Sequence, residues 1–412
     1  MNKSIPFLNN INELCEKYDT PLQVYDEKLI RNNVNNLIHK FNNKFNFKQF
    51  FAVKALPNPH ILKILIEEGC GLDCSSISEL YIAKKLGVDS QDIFFTSNFT
   101  SKQELKYAYD MDVHINLDDI SLIDDLYNIY NKFPKKICFR LNPGVGYTNS
   151  ETKSNVLGGP DAKFGISTDN ILEAYKKAKE LGCQKYGIHM MTGSCVLDNN
   201  YWCETINILL NNMEKIENNL NITFEYINIG GGLGIPYKQD EKSIDIDILV
   251  DKIYTILINK KKNLPKLYME NGRYITGPYG WLLSKCNCIK HSFNNIYYGL
   301  DACMTHLMRP GMYGSFHYIS VPLNKTDKFK ISNVVGTLCE NNDWFAKNRL
   351  IPESFVGDIF VIHDTGAHSH SMGFNYNGKL KAPEILICKD GSFKLIRERE
   401  EIEDLYKKCN FI

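Results

Sequence analysis

The stretch QFFAVKALPNPHILKILIEEGCGLDCSS, residues 49–76, holds a strand, a helix and the next strand in order. QFFAVK (49–54) is a β-like apolar run. Asn58 can cap the helix that follows, and Pro59 suits its first position. Ile61, Leu62, Leu65 and Ile66 make an apolar stripe that ends at Gly69. In GLDCSS (71–76), Ser76 and Glu79 have capping-box spacing before LYIAKKL, and Gly87 closes that helix. Outward from this unit the strand signal recurs at IFFTSN (93–98), VHINLD (113–118), KICFRLN (136–142), YGIHMMTG (186–193), YINIGGG (226–232) and KLYMENGR (266–273). Helical patterns separate most of them, ILEAYKKAKELG (171–182) being the clearest. Strands alternating with helices imply βαβ units and a parallel sheet. Eight strands over roughly 225 residues approach the ~250 of a closed (β/α)8 barrel. An open doubly wound sheet is the structural alternative.

The texture changes after about residue 280. NIYYGLDA, FHYISVPL, KISNVVGTLC, DIFVIHDTG and PEILICKDGSFKLIRE are β-rich, with a turn signal at Asp390-Gly391. The expected architecture is α/β: an N-terminal (β/α)8 barrel over 28–280, then a β domain of 281–412 joined by 1–27, whose TPLQVYD (20–26) has no place among the eight. The polar, Gly-rich segment 143–167 follows strand five and is read either as a lid or as a surface insertion.

Composition narrows the function classes. Across 412 residues, 48 basic and 48 acidic side chains cancel, so a nucleic-acid partner is not expected. No apolar run is long enough for a membrane helix, and MNKSIPFLNNINELCEKYD lacks the apolar core of a secretory signal. The 13 cysteines are odd in number and scattered, with no CxxC pair, which points to reduced thiols and a cytoplasmic setting.

Barrel chemistry gathers where strands end. Lys54 closes strand one. Such a lysine either snorkels to solvent or is desolvated until its amine falls toward neutrality and can form a Schiff base. Gly230, Gly231, Gly232 and Gly234 follow strand seven, and Gly272 with Arg273 follows strand eight. Those two loops commonly build a phosphate site, because glycine lets backbone N–H groups approach the oxygens. The GGGLG run lacks the GxGxxG spacing of a dinucleotide fingerprint. An imine-forming lysine beside a phosphate cradle implies a phosphorylated aldehyde, and pyridoxal 5′-phosphate is the obvious cofactor. Glu270 is placed to face its pyridine nitrogen and keep it protonated; taken alone, a strand-end Glu is more often half of a salt bridge.

FAVKA around Lys54, GGGLGIPY (230–237), ENGR (270–273), LMRPGMYG (307–314), LCEN (338–341) and FNYNGK (374–379) occur in order. Together they resemble the diaminopimelate decarboxylases, pyridoxal-phosphate enzymes of the alanine-racemase-like barrel type, from about residue 20 to 395. The resemblance implies that Lys54 carries the cofactor. Ser194, Gly231, Gly232, Gly272, Arg273 and Tyr376 would hold the phosphate and its surroundings, and Glu270 the ring nitrogen. It further implies substrate contacts from Arg273, Arg309, Tyr313, Glu340 and Tyr376. Cys339 would be the proton donor, delivered with Glu340 by the second subunit of a homodimer.

The implied reaction removes CO2 from meso-diaminopimelate to give L-lysine, the last step of lysine biosynthesis. Arg309 suits the distal carboxylate and Glu340 the distal ammonium. Alternatives are a decarboxylase of another basic or D-amino acid or of carboxynorspermidine, or a non-catalytic regulator of decarboxylase type. Two departures stand out. Met191 occupies the place where relatives often carry a ring-stacking His. Asn271 replaces the Pro of EPGR, which predicts a less organised phosphate loop. HDTGAHSHS (363–371) invites a metal reading through His363, Asp364, His368 and His370. Without cysteine ligands or compact four-ligand spacing, no metal is expected.

Overall fold

A computed structural model describes residues 3–148 and 156–411. The first βαβ unit forms as its punctuation predicts. The helix Pro59–Glu67 has Asn58 as N-cap, whose side chain accepts the His60 N–H at 3.0 Å. In the next unit Ser76 Oγ accepts the Glu79 N–H at 3.3 Å, while the Glu79 carboxylate reaches back one residue further, to the Ser75 N–H at 2.6 Å. Gly69 and Gly87 end their helices at φ +88° and +71°, a conformation a Cβ would strain.

Eight parallel strands close into a barrel: Phe47–Ala52, Gly71–Cys74, Ile93–Thr96, His114–Leu117, Lys136–Asn142, Lys185–Met190, Phe224–Asn228 and Lys266–Met269. Closure is continuous in register. Strand eight pairs with strand one (Met269 opposite Gln49), and strand four pairs with strand five (Leu117 opposite Phe139). The expected (β/α)8 barrel is therefore the fold, and the open-sheet alternative falls.

The N-terminal end of the barrel is plugged by rings. Phe50, Phe94, His114, Tyr226 and Tyr268 interlock, with Phe94 stacked on His114 at 4.7 Å. Gly187 makes room for this plug, since a Cβ there would lie 2.0 Å from Tyr226 Cζ. A sealed base leaves the C-terminal rim as the open end.

A second, largely antiparallel sheet follows, built on the long strand Gly280–Ser292. Leu22–Asp26 is inserted between that strand and Glu384–Ile387, antiparallel to the first and parallel to the second. Asp390 and Gly391 (φ +83°) turn the hairpin between Glu384–Ile387 and Phe393–Arg397. Gly280–Ser292 and Trp344–Pro352 are strands absent from the sequence reading. Their outer faces carry Lys, Asn and Arg, which dilutes the apolar alternation that marks a strand. Of segment 143–167, residues 149–155 lie outside the described residues, so the lid reading rests on nothing further. Its flanks are placed: Tyr147–Thr148 pairs with Gly193–Ser194. Among the described residues, no helix is long and apolar enough to cross a membrane.

Candidate active site

Lys54 leaves strand one in a short 3-10 turn, Val53–Ala55, at the barrel mouth. Its side chain is 53% exposed through that mouth although protein surrounds it, and its Nζ lies 3.2 Å from Asp73 Oδ2 at the end of strand two. The expected neutral amine is not what the site builds. Burial pulls the pKa down, but Asp73, Glu270 and Glu79 outweigh it and the net shift is upward. Asp73 is itself harder to ionise than usual, from burial and from repulsion by Glu270. Its second oxygen, Oδ1, is buried with no hydrogen-bond partner among the described residues. The carboxylates that hold an ammonium at Lys54 would likewise favour positive charge on that nitrogen if it carried a cofactor.

Glu270 stands at the end of strand eight, 7% exposed. Asn228 Nδ2 donates to its Oε1 at 2.7 Å, and His189 Nε2 lies 3.2 Å from its Oε2. Burial pushes this carboxyl up, yet His189, Lys54 and Asn228 bring it below the usual range, so it stays ionised. Asn228 also accepts the Gly230 N–H at 2.9 Å, tying the glycine loop to the same carboxylate.

The glycines are required by close approach. A Cβ on Gly231 would meet the Glu270 carbonyl at 2.2 Å, one on Gly232 (φ +105°) the Gly193 carbonyl at 2.3 Å, and one on Gly272 the Ala55 Cβ at 2.6 Å. Three barrel loops and the Lys54 turn thus interlock.

Asn271 overturns its expectation. It is 1% exposed, its Oδ1 accepts the Leu233 N–H at 3.2 Å, its Nδ2 donates to Gln49 Oε1 of strand one at 3.1 Å, and its backbone carbonyl accepts from Gln49 Nε2 at 3.2 Å. A proline fixes a loop through φ; this asparagine fixes it through its side-chain amide, and the loop is not loosened. Met191 also lies against the loop, its Sδ accepting the Gly231 N–H at 3.2 Å.

Arg273, just after the last barrel strand, and Arg309, in the β domain, converge. Each donates an Nη1 hydrogen to the same atom, Tyr237 Oη, at 2.7 Å. With Ser194 and Tyr313 they line a cavity of about 390 Å³. Cys339 and Glu340 lie elsewhere, on an exposed turn of the β domain. Buried Asp343 pins that turn by accepting the Leu338 and Met304 N–H groups at 2.7 and 2.6 Å. Glu340 lines a second cavity with Met312, Leu338 and Tyr376. Tyr376, 49% exposed, is thus on this second cavity and not on the one with Arg273.

Sequence reading missed three members. Arg140, inside the barrel, makes two long bonds among the described residues, to the Leu157 and Met191 carbonyls at 3.4 Å, and burial lowers its pKa to about 10. His368 was weighed only as a metal ligand. Its backbone N–H donates to the Ala55 carbonyl of the Lys54 turn at 2.9 Å, and burial first, then the charges of Arg273, Arg309 and Lys54, drives its pKa well down. Its neighbours do not converge on a metal: His363 faces Ser320 Oγ at 2.8 Å and Asp364 takes the Lys3 ammonium. Tyr237 is the third, an aromatic beyond the glycines whose role no spacing rule signals.

A barrel with an amine at the mouth, an ionised carboxylate across from it and a loop–arginine cradle defines a cofactor-dependent enzyme class. The residues fit pyridoxal phosphate: an amine for the aldehyde, Glu270 for the ring nitrogen, glycine loops with Ser194 and Arg273 for the phosphate. Residues 29–277 match the model of the pyridoxal-dependent decarboxylases, pyridoxal binding domain. The chain belongs to that family. It is 39% identical over 397 residues to Protein TabA of Pseudomonas amygdali pv. tabaci, covering 96% of this chain and 92% of TabA. It is 37% identical to the diaminopimelate decarboxylase of Methanothermobacter thermautotrophicus, covering 97% and 93%. The solved diaminopimelate decarboxylase of M. jannaschii in complex with L-lysine superposes with a TM-score of 0.89 at 31% identity, covering 97% and 94%.

Proposed function

We propose that this chain is a diaminopimelate decarboxylase, releasing CO2 from meso-2,6-diaminopimelate to leave L-lysine. The observation that carries the choice of substrate is Arg309. It is 5% exposed, and its hydrogen-bond partners among the described residues are all neutral: the Tyr237 phenol, the Ser315 hydroxyl at 3.3 Å and the His317 imidazole at 3.1 Å. A buried guanidinium without a counter-ion is built for a carboxylate supplied from outside. Diaminopimelate brings one at its far end; a simple diamine precursor such as ornithine does not. Full-length similarity to enzymes of that name supports the reading.

In this reading Lys54 would hold the cofactor covalently and Glu270, kept ionised, would face its ring nitrogen. Ser194, Gly231, Gly232, Gly272 and Arg273 surround its phosphate. Bound pyridoxal phosphate supplies the electron sink for the pair left at Cα when CO2 departs. Arg309 and Tyr313 orient the distal carboxylate. Glu340 accepts from the distal ammonium, and Cys339 returns a proton to Cα. Because Cys339 and Glu340 sit on an exposed turn outside the arginine cavity, they act on the site of a partner subunit in a homodimer. Tyr376 comes with that turn, its neighbour Asn377 accepting the Cys339 N–H at 2.7 Å.

The test is CO2 release from meso-diaminopimelate by cofactor-loaded protein, with L-lysine as product. Arg309→Ala is expected to lose roughly 100-fold or more in kcat/KM, as for an unpaired carboxylate. Unchanged turnover in Arg309→Ala, or CO2 from ornithine but not from diaminopimelate, contradicts the proposal.

A further inference from the structure

Tyr237 Oη has two lone pairs and one hydrogen. Both lone pairs are taken, one by Arg273 Nη1 and one by Arg309 Nη1, each at 2.7 Å. The hydroxyl hydrogen must therefore point to an acceptor, and no acceptor for it is found among the described residues. Tyr237 is 8% exposed and lines the 390 Å³ cavity, so its free hydrogen has the cavity to point into.

The surroundings hold it in that role. His317 Nδ1 lies 2.8 Å from the His363 carbonyl, which can only accept, so Nδ1 carries the proton. Nε2 is then the acceptor for the other Arg309 Nη1 hydrogen, at 3.1 Å. The His317 ring packs edge-on against Tyr237 at 5.0 Å. With Nη1 satisfied twice and Ser315 taking one Nη2 hydrogen, Arg309 keeps its outer Nη2 hydrogen for a ligand. Two guanidiniums sharing one phenol oxygen repel each other, and an anion between them reverses that repulsion.

We infer that Tyr237 is a direct, specificity-determining contact for the substrate's distal carboxylate. Its hydroxyl donates to one carboxylate oxygen while Arg309 Nη2 donates to the carboxylate. This deepens the proposed function and rests on it for the identity of the substrate. The ligand class is an α,ω-dicarboxylate of about seven carbons. Amino acids whose far end is an amine alone gain nothing from Tyr237.

Binding to cofactor-loaded protein tests this without turnover, using pimelate, which keeps the carbon chain and both carboxylates of diaminopimelate. Tyr237→Phe, with an unchanged melting temperature, is expected to weaken pimelate binding roughly tenfold. A second protein carrying 3,5-difluorotyrosine at 237 separates donation from simple positioning of the arginines. Fluorination strengthens the phenol as donor and weakens it as acceptor. At a pH that keeps the phenol protonated, pimelate is expected to bind more tightly than to wild type. Failure of wild-type protein to bind pimelate, equal binding by Tyr237→Phe, or weaker binding by the difluoro protein each overturns the inference. Diaminopimelate turnover is scored separately. Tight pimelate binding lost in Tyr237→Phe, with no diaminopimelate turnover, leaves Tyr237 standing and removes the proposed reaction.

Discussion

Asn271, at the exit of the eighth barrel strand, donates its side-chain amide to Gln49 Oε1 on the first strand at 3.1 Å. The bond crosses the seam where the barrel closes, and the same side chain accepts the Leu233 N–H of the glycine loop. Asn271→Ala leaves Gln49 Oε1 and the Leu233 N–H buried without these partners, while the Gln49 amide hydrogens keep the Phe50 and residue-271 backbone carbonyls. A loss of about 2–4 kcal/mol in urea unfolding is expected, together with weaker pyridoxal-phosphate affinity. Equal stability and equal affinity would show that the seam does not depend on this side chain.

The Lys54 amine is kept charged by Asp73, Glu270 and Glu79 against the pull of burial. Because its folded pKa lies above the ordinary 10.5, the stability it contributes is fully present below that value. It is lost as pH rises through the folded pKa. Asp73→Asn removes the largest opposing charge, so Lys54 should deprotonate at lower pH. In cofactor-free protein, amine acylation at Lys54 followed by peptide mass mapping should run several-fold faster in Asp73→Asn at neutral pH. An unchanged rate contradicts the electrostatic account.

Glu384 links barrel and β sheet. It accepts from Tyr25 Oη at 2.7 Å and Asn58 Nδ2 at 2.9 Å, and pairs with Arg397. Burial pushes its carboxyl up, but His370, Arg397 and Tyr25 hold it below 4.5 on balance. Its contribution is therefore complete above the unfolded value and is lost as pH falls through the folded one. Glu384→Gln should lower stability by about 2–3 kcal/mol at neutral pH, a discounted figure because Arg397 is partly exposed. The gap to wild type should narrow in acid, as read from urea melts at both pH values.

If Cys339 serves a neighbouring subunit's site, two inactive proteins can repair each other. Mixing Lys54→Ala with Cys339→Ala protein, under conditions that allow subunit exchange, should restore CO2 release to roughly a quarter of wild type, the fraction expected from random pairing. No recovery, with exchange verified, places Cys339 at its own chain's site or outside catalysis.

The barrel was legible because each unit carries its own punctuation: caps at Asn58 and Ser76, stops at Gly69 and Gly87, and apolar strands between. Lys54, Glu270 and the glycine loops could be placed because strand ends in a barrel share one rim. Long-range chemistry was not legible. The bonds of Asn271 to Gln49 span 222 residues, and Tyr237 meets Arg309 across 72, with no local pattern marking either. Lys54 was misjudged in charge because the three carboxylates that outweigh its burial come from separate strands and helices. Only the closed barrel brings them together.

The central claim is that Lys54 is the amine to which the cofactor is joined. Borohydride reduction of protein loaded with pyridoxal phosphate, followed by proteolysis and mass mapping, reads the attachment point directly. The account predicts a stable pyridoxyl-phosphate adduct on the peptide containing Lys54 and none in Lys54→Ala. An adduct on a different lysine, or none on Lys54 in protein that retains the cofactor, contradicts it.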